Sequence, residues 1–517
     1  MDLAGSSTFH NEVSGTYQSG AYAYVGDGNA FTNQGNITPG GSGTIQTTAI
    51  TGNYTQEASG TYTVDADWNL ATADVLNVSG TAQLAGTVVV IPANFPSTAG
   101  LTQEFLILHA DGGTTDDGIA ATDTAAVDYE VVFDPNRYDV YLQATINFLG
   151  VGTTSLNPNQ TAIAENINAI VGAGTPAAFA PVTNALMALP TQETLANALD
   201  QLSPEIYSYA AIETLYAAEQ FSSDLLSCRV ADGDGASFIR EGQCIWARGR
   251  ARFLDLDHTT DNIGADATVG SFSAGAQVAL APDWKLGFAA GYDNISLSTG
   301  NHASADGDRA NVGAALKYNP GPLLLAAVVS GGRSSFDTTR PLSFGGFTAE
   351  VTGDSDINHV SGLLHAAYLV NLGDWYLKPQ VSGSVTRLDL HGLSETGGGG
   401  AALLVAGKSD TAFSVSPALE IGSELPLGGI SVLRPFLKAG VTWRDDDNLD
   451  ITAAFAAAPA GIGSFTVNSA LDDVLADVSA GFDIVNGDGA ALRVQYDGRF
   501  GEDTTQNSGS IKGSVPF

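Results

Sequence analysis

The chain has 517 residues with 20 basic against 56 acidic side chains, a net charge of −36. A polyanion on this scale repels phosphate backbones and excludes nucleic acid as a partner. Its 44% hydrophobic content excludes a solvated, disordered chain. The imbalance is uneven: residues 1–227 carry 23 acids and one base, Arg137, whereas residues 228–517 carry 33 acids and 19 bases. No apolar run is long enough for a transmembrane helix. The start, Met1-Asp2-Leu3-Ala4-Gly5-Ser6, has neither the basic nor the apolar part of a secretory signal. Because scarce cysteine and low charge point outside the cytoplasm, the chain is expected to be a piece of a longer exported precursor.

Residues 1–150 contain short apolar runs between Gly, Asn, Asp and Thr, such as Tyr62-Thr63-Val64, Thr87-Val88-Val89-Val90-Ile91 and Val140-Tyr141-Leu142. They are too short and too frequent for helices. Together with loose repetition (Gly52-Asn53-Tyr54-Thr55-Gln56, then Gly60-Thr61-Tyr62-Thr63-Val64) they predict rungs of a right-handed parallel β-helix, with a β-sandwich as the alternative. Residues 151–227 turn helical. Ala162, Ile163, Ile167, Ile170 and Val171 share one face after Asn157-Pro158, and Leu195, Leu199 and Leu202 share another. Ser203-Pro204-Glu205 reads as N-cap, Pro at the first helical position and first-turn acid, opening a helix over residues 203–226. Such a helix is about 33 Å long, close to a bilayer core. Its acids, Glu205, Glu213, Glu219 and Asp224, keep it from facing lipid.

Beyond residue 228 the texture is that of a membrane β-barrel. Segments of about ten residues alternate apolar with polar or small side chains. In one, Leu492, Val494, Tyr496 and Phe500 oppose Arg493, Gln495, Asp497 and Arg499. Twelve segments begin near residues 244, 266, 283, 309, 322, 357, 374, 411, 430, 471, 489 and 507. Short connections such as Ala281-Pro282-Asp283 and Gly373-Asp374 alternate with longer ones centred near 260, 302, 345, 400 and 455, as periplasmic turns alternate with outer loops. Trp284, Tyr318, Trp375 and Trp443 lie near segment ends, where aromatic girdles occur. The expected fold is all-β, in three parts: a β-helical passenger end over 1–150, a helical linker over 151–227 and a twelve-stranded antiparallel transmembrane barrel over 228–517.

That order, with a barrel ending in Phe517, resembles the autotransporters of the type V secretion pathway. Residues 73–87 (Ala73-Asp74-Val75-Leu76 through Gly86-Thr87) are similar to the passenger end before the barrel module, and Leu156-Asn157-Pro158-Asn159-Gln160 and Leu199-Asp200-Gln201-Leu202-Ser203-Pro204-Glu205 resemble the family's linker. The resemblance implies a monomeric outer-membrane protein of a Gram-negative bacterium. It would sit in outer-membrane lipid, display its passenger on the cell surface and keep the helix in the pore as a plug. It also implies that Val515 and Phe517 form the signal read by the barrel assembly machinery, with periplasmic chaperones as further partners. A passive porin-like channel, or a surface adhesin or enzyme whose active region lies upstream of residue 1, is the alternative.

With these faces assigned, the bases Arg248, Arg250, Arg252, Lys285, Lys317, Lys378, Arg434, Lys438, Arg493, Arg499 and Lys512 fall on the lumen side. A base facing lipid at mid-depth would cost about 2–4 kcal/mol. The acidic helix is expected to dock on this basic wall, unless the bases pair with strand acids such as Glu420 and Asp497. Cys228 and Cys244, both at the periplasmic end, are expected to form a disulfide worth roughly 3 kcal/mol, with two free thiols as the alternative. No enzyme signature appears: no Ser has Gly at both −2 and +2, and H-E-x-x-H does not occur. The Asp445-Asp446-Asp447-Asn448 and Asp232-Gly233-Asp234-Gly235 runs read as solvated acidic loops, so neither metal nor cofactor is expected.

Overall fold

The computed structural model describes residues 8–94, 100–152, 156–226, 228, 241–428, 431–445 and 448–517; the Asp232–Gly235 run lies outside them. Short runs broken by turns cannot pair within themselves, so their backbone groups are satisfied by stacking. Between Phe9 and Ala121 they do this in three parallel sheets. Equivalent side chains lie rung over rung: Phe9 on Phe31 on Tyr54, Ile37 on Tyr62 on Val88, and Ile50 on Val78 on Ala110. This is the β-helix-like arrangement expected. The stack ends differently from expectation. Val140-Tyr141-Leu142 is not a rung: it lies in Asp139–Ile146, which pairs antiparallel with both Val127–Phe133 and Thr102–Ala110. The Asn136-Arg137 turn reverses the chain there, and Arg137 takes a positive φ of 61°.

Four helices follow: α1 (Pro158–Ala173), α2 (Ala180–Met187), α3 (Gln192–Gln201) and α4 (Glu205–Asp224). The α1 start is a reciprocal capping box between Asn157 and Gln160. Helix α2, only eight residues long, is absent from the sequence reading. Helix α4 is shorter than the 203–226 expected. Pro204 occupies the N-cap, and the Ser203 hydroxyl sits one position further out, donating to the Glu205 carboxylate at 2.9 Å.

The barrel has twelve strands: β1 (Cys244–Leu256), β2 (Ala265–Ala281), β3 (Trp284–Thr299), β4 (Ser304–Tyr318), β5 (Leu323–Phe344), β6 (Phe347–Tyr368), β7 (Trp375–Leu390), β8 (Lys408–Ser423), β9 (Ser431–Arg444), β10 (Val474–Val485), β11 (Ala491–Phe500) and β12 (Thr504–Pro516). Each pairs antiparallel with its neighbour, and β1 with β12 closes the ring. The strand starts follow the twelve expected segments, but the strands run to 22 residues in β5 and β6. About 9–11 residues suffice to cross a bilayer, so the rest projects beyond it. This corrects two of the expected long connections. Near 302 the loop is the short Gly300–Ala303 turn, and near 345 it is a two-residue Gly345-Gly346 turn, both glycines at positive φ. Extension of the strands themselves replaces irregular loop.

Sidedness reverses along the strands. In the half of β1 near the short turns, Arg248, Arg250 and Arg252 point inward and Ile245 and Phe253 outward; two residues later Leu254 and Leu256 point inward and Asp255 outward. In β3 the outward set passes from Phe288 and Tyr292 to Asn294, Ser296 and Ser298, while the inward set passes from Lys285 and Asp293 to Ile295 and Leu297. In β7 it passes from outward Val381 and Val385 to Arg387, and from inward Lys378 and Gln380 to Leu388 and Leu390. In these strands the half carrying the apolar belt is polar inside and the outer half is apolar inside; β5 departs from this, with Leu324, Ala326 and Val328 inward in its belt half and Thr338 and Arg340 inward in its outer half. A four-stranded sheet from two outer loops (Leu393–Ser394, Leu403–Val405, Asn448–Phe455, Phe465–Ala470) lies at the outer end.

Candidate functional site

Helix α4 runs through the barrel. Its first turn meets the outer loop after β1, where the Glu205 carboxylate accepts from Asn262 Nδ2 (3.3 Å) and the Ile263 amide (3.4 Å). Its last turn reaches the short-turn end, where Asp224 pairs with Arg248 and Arg250 near the start of β1. Nearly every residue of the helix is buried.

Three of the four helix acids are each held between two arginines. Glu213 pairs with Arg252 and Arg309. Glu219 pairs with Arg444 (3.3 Å) and Arg499 (2.7 Å), both guanidinium groups lying over the Tyr216 ring. Asp224 pairs with Arg248 and, at 2.9 Å, with Arg250. Glu205 does not join the basic wall: its partners are the Ser203 and Tyr209 hydroxyls, an amide side chain and a backbone amide. It lies in the apolar outer half, beyond the reach of the lumen cations.

The expected lumen bases divide into two groups. Arg248, Arg250, Arg252 and Arg499 hold the helix. The others are bound to the wall or the turns: Lys317 to Glu241 (2.8 Å), Lys378 to Glu420 (2.9 Å), Arg434 to Glu424 (2.8 Å), Arg493 to Asp483 (2.6 Å) and Lys285 to the Pro282 carbonyl (2.7 Å). Lys512 lies over the Trp246 ring at 5.2 Å, and Lys438 lines the lumen beside Glu420. Docking and strand pairing, posed as alternatives, therefore coexist. Three cations were missed. Arg309 shares its strand parity with Lys317, and Arg444 shares that of Lys438, so the face assignment could have found both. Arg340 pairs with Glu395 (2.6 Å) and donates to the Gln201 carbonyl (2.8 Å), outside the ten-residue span over which β5 was read.

Apolar and hydroxyl contacts complete the docking. Phe221 lies against Gly291 and Leu225 against Gly313; a Cβ at Gly313 would come within 2.6 Å of Leu225 Cδ1. Ser222 meets Ser330 at 2.8 Å, and Ser208 meets Ser469. Below the helix, Cys228 and Cys244 form a disulfide that ties the end of the plug to the first residue of β1. On the opposite side the helix leaves a cavity of about 210 Å³, walled by Ser382, Ser384, Ser414, Ser416 and Ser479 and by Lys378, Glu420 and Arg493. At the chain end Val515 and Phe517 point outward and are 60% and 61% exposed, in register with the lipid-facing set.

Residues 245–497 match the family model described as the autotransporter beta-domain. Two curated relatives, the Esterase EstA of Pseudomonas aeruginosa and that of Pseudomonas putida, are each 26% identical over 283 residues, 52% of this chain and 42% of theirs. The chain thus spans less than half the length of the curated relatives it matches. Among solved structures, the translocator domain of the autotransporter NalP from Neisseria meningitidis aligns at 14% identity with a TM-score of 0.47, covering 61% of this chain and 100% of that one. The beta domain of the Bordetella autotransporter Brka aligns at 19% identity with a TM-score of 0.39, covering 54% and 100%.

Proposed function

We propose that this barrel, which is an autotransporter β-domain of the outer membrane, carries the β-helical segment before it to the cell surface and anchors it there. The observation that carries the reading is the course of α4. It enters at the outer end and leaves at the short-turn end, where β1 begins, so everything before it lies on the outer side of a pore that the chain itself threads. The base-poor composition of residues 1–227 suits passage along a lumen rich in arginine, since the moving chain has little with which to pair internally. In this scheme Asp224, Glu219 and Glu213 arrest the chain once transport ends, and the Cys228–Cys244 bridge holds the anchored leg beside β1. Val515 and Phe517 deliver the barrel to its assembly machinery, with periplasmic chaperones upstream, and the anchored protein acts as a monomer. An epitope inserted at the exposed Gly20 turn should be cut by protease added to intact cells, while the short turn at Gly373 stays protected. Protection of both sites would overturn the reading.

A second reading, a surface enzyme, rests on the names of the curated relatives alone. Hydrolysis of a short acyl ester by cells displaying this chain tests it, and the barrel supplies a conduit with no part in that chemistry.

A further inference from the structure

The lumen contains two kinds of surface, and α4 meets both. In its outer half Ile206, Ile212 and Leu215 are buried in one continuous apolar cluster with inward residues such as Leu254, Ile295 and Leu388. In its inner half the helix rests on one wall through Phe221 and Leu225, in a separate small cluster, and faces the serine-lined cavity on the other. The cavity rises from Lys378 and Glu420, near the short-turn end, as far as Glu219 and stops there. The paired charges of Glu219 and Asp224 therefore border open polar space.

We infer that the pore is closed by the outer, apolar tier, and that the arginine-held Glu219 and Asp224 fix the helix in register without closing the channel. The inference rests on the reading of α4 as the plug of a translocator. Its physical ground is the reversal of sidedness. Where lipid surrounds the strands the outward face must be apolar, which leaves polar side chains for the inside, and polar walls around a helix admit water. Where the strands rise above the bilayer the outward face is wetted, so the inward face can be apolar and close-packed like an ordinary core. Apolar constrictions exclude ions by shedding water, which a ring of ion pairs beside a hydrated cavity does not do. The seal can exist only where the barrel leaves the membrane. The same tier closes only when α4 alone occupies the pore, so a chain still in transit holds it open.

Single-channel recording of the purified full chain in planar bilayers tests this with three variants. Leu215→Asp, and the milder double substitution Ile212→Ala with Leu215→Ala, should raise conductance several-fold over the unsubstituted chain. Glu219→Gln should leave it at the unsubstituted level. Equal opening by Glu219→Gln and Leu215→Asp would overturn the inference, as would channels that stay closed in both apolar-tier variants. Should Leu215→Asp fail to insert, judged by the mobility of unheated protein in gels, the double alanine variant carries the comparison. Protease cleavage of the surface stub on intact cells expressing the same chains separates the two readings. A displayed stub with the opposite conductance pattern defeats only the location of the seal, whereas a stub never displayed by the unsubstituted chain defeats the translocator reading.

Discussion

The inner and outer halves of the barrel are built by the same twelve strands and hold the same helix, yet they hold it by different means. The inner half has an apolar exterior and grips the helix through Glu219 and Asp224, each between two arginines, and through glycine seats, while Glu213, held in the same way, marks the boundary between the halves. The outer half has a wetted exterior and grips it through packing around Ile212 and Leu215. What surrounds a strand dictates one face, and strict alternation then dictates the other. The mode of holding therefore changes where the membrane ends.

The largest effect should come from stranding charges where the two halves meet. Glu213→Ala leaves Arg252 and Arg309 buried without their shared carboxylate, at a cost of about 3–5 kcal/mol. The unfolding midpoint of the protein in detergent should fall accordingly. An unchanged midpoint would mean that these pairs do little to hold the plug and would collapse the contrast between the halves. Next in size is the covalent tie. Replacing both Cys228 and Cys244 by Ser opens a loop with a sequence separation of 16, for a loss of about 3 kcal/mol in the chain-entropy view, and reductant should mimic it in the native protein. A reductant effect that persists in the double-serine protein would show that the bridge is not its cause.

A smaller change separates seat from bulk. Gly313→Val places a side chain where Leu225 already lies and should cost about 1–3 kcal/mol by overpacking. Gly509→Val, at a position with nothing near its missing Cβ, should leave the midpoint where it was. Equal loss in both would mean that the glycines serve strand geometry in general and not the helix.

How much of this was legible depended on whether one period carried one meaning. Eleven of the twelve strand starts came within five residues of expectation, β6 alone beginning ten residues early at Phe347, and the lumen side of Arg248, Arg250 and Arg252 followed from alternation. The outer half did not, although Leu254-Asp255-Leu256 continues the same alternation with polarity exchanged. Reading polar as inward along a whole strand ends it where the exchange begins. That is why β5 and β6 came out short, why a loop was expected near 345, and why Arg340 was missed. Glu205 was misplaced for the same reason: being acidic and on α4 does not put it opposite a base when the wall at its level is apolar. The disulfide and the opening of α1 after Asn157-Pro158 were legible because both are local and need no knowledge of the surroundings. The antiparallel end of the β-helix was not, because Val140-Tyr141-Leu142 has the composition of a rung and only its partners tell it apart.

The smallest expected effect contrasts the barrel with the β-helix. Glu213, Glu219 and Asp224 in the lumen face opposite charges; Asp74, fully buried in the stub, has its carboxylate held by backbone amides, accepting from Gln46 at 2.7 Å and Asp65 at 2.9 Å. Burial pushes its carboxyl up to about 7, and the neighbouring Asp65 adds to the rise. A group whose native value lies above its unfolded value, near 3.9 for aspartate, contributes stability that is complete below the unfolded value and is lost as pH rises through the native one. The midpoint for loss of protease resistance in the stub should therefore fall as pH rises from about 4 to about 7 and level off above that. Asp74→Asn should flatten that slope, because the amide cannot ionise, even though one of its two backbone contacts is spoiled and the midpoint is lower throughout. A slope that survives the substitution would move the titration to another group and remove the contrast with the lumen, where Glu213, Glu219 and Asp224 each meet two guanidinium groups.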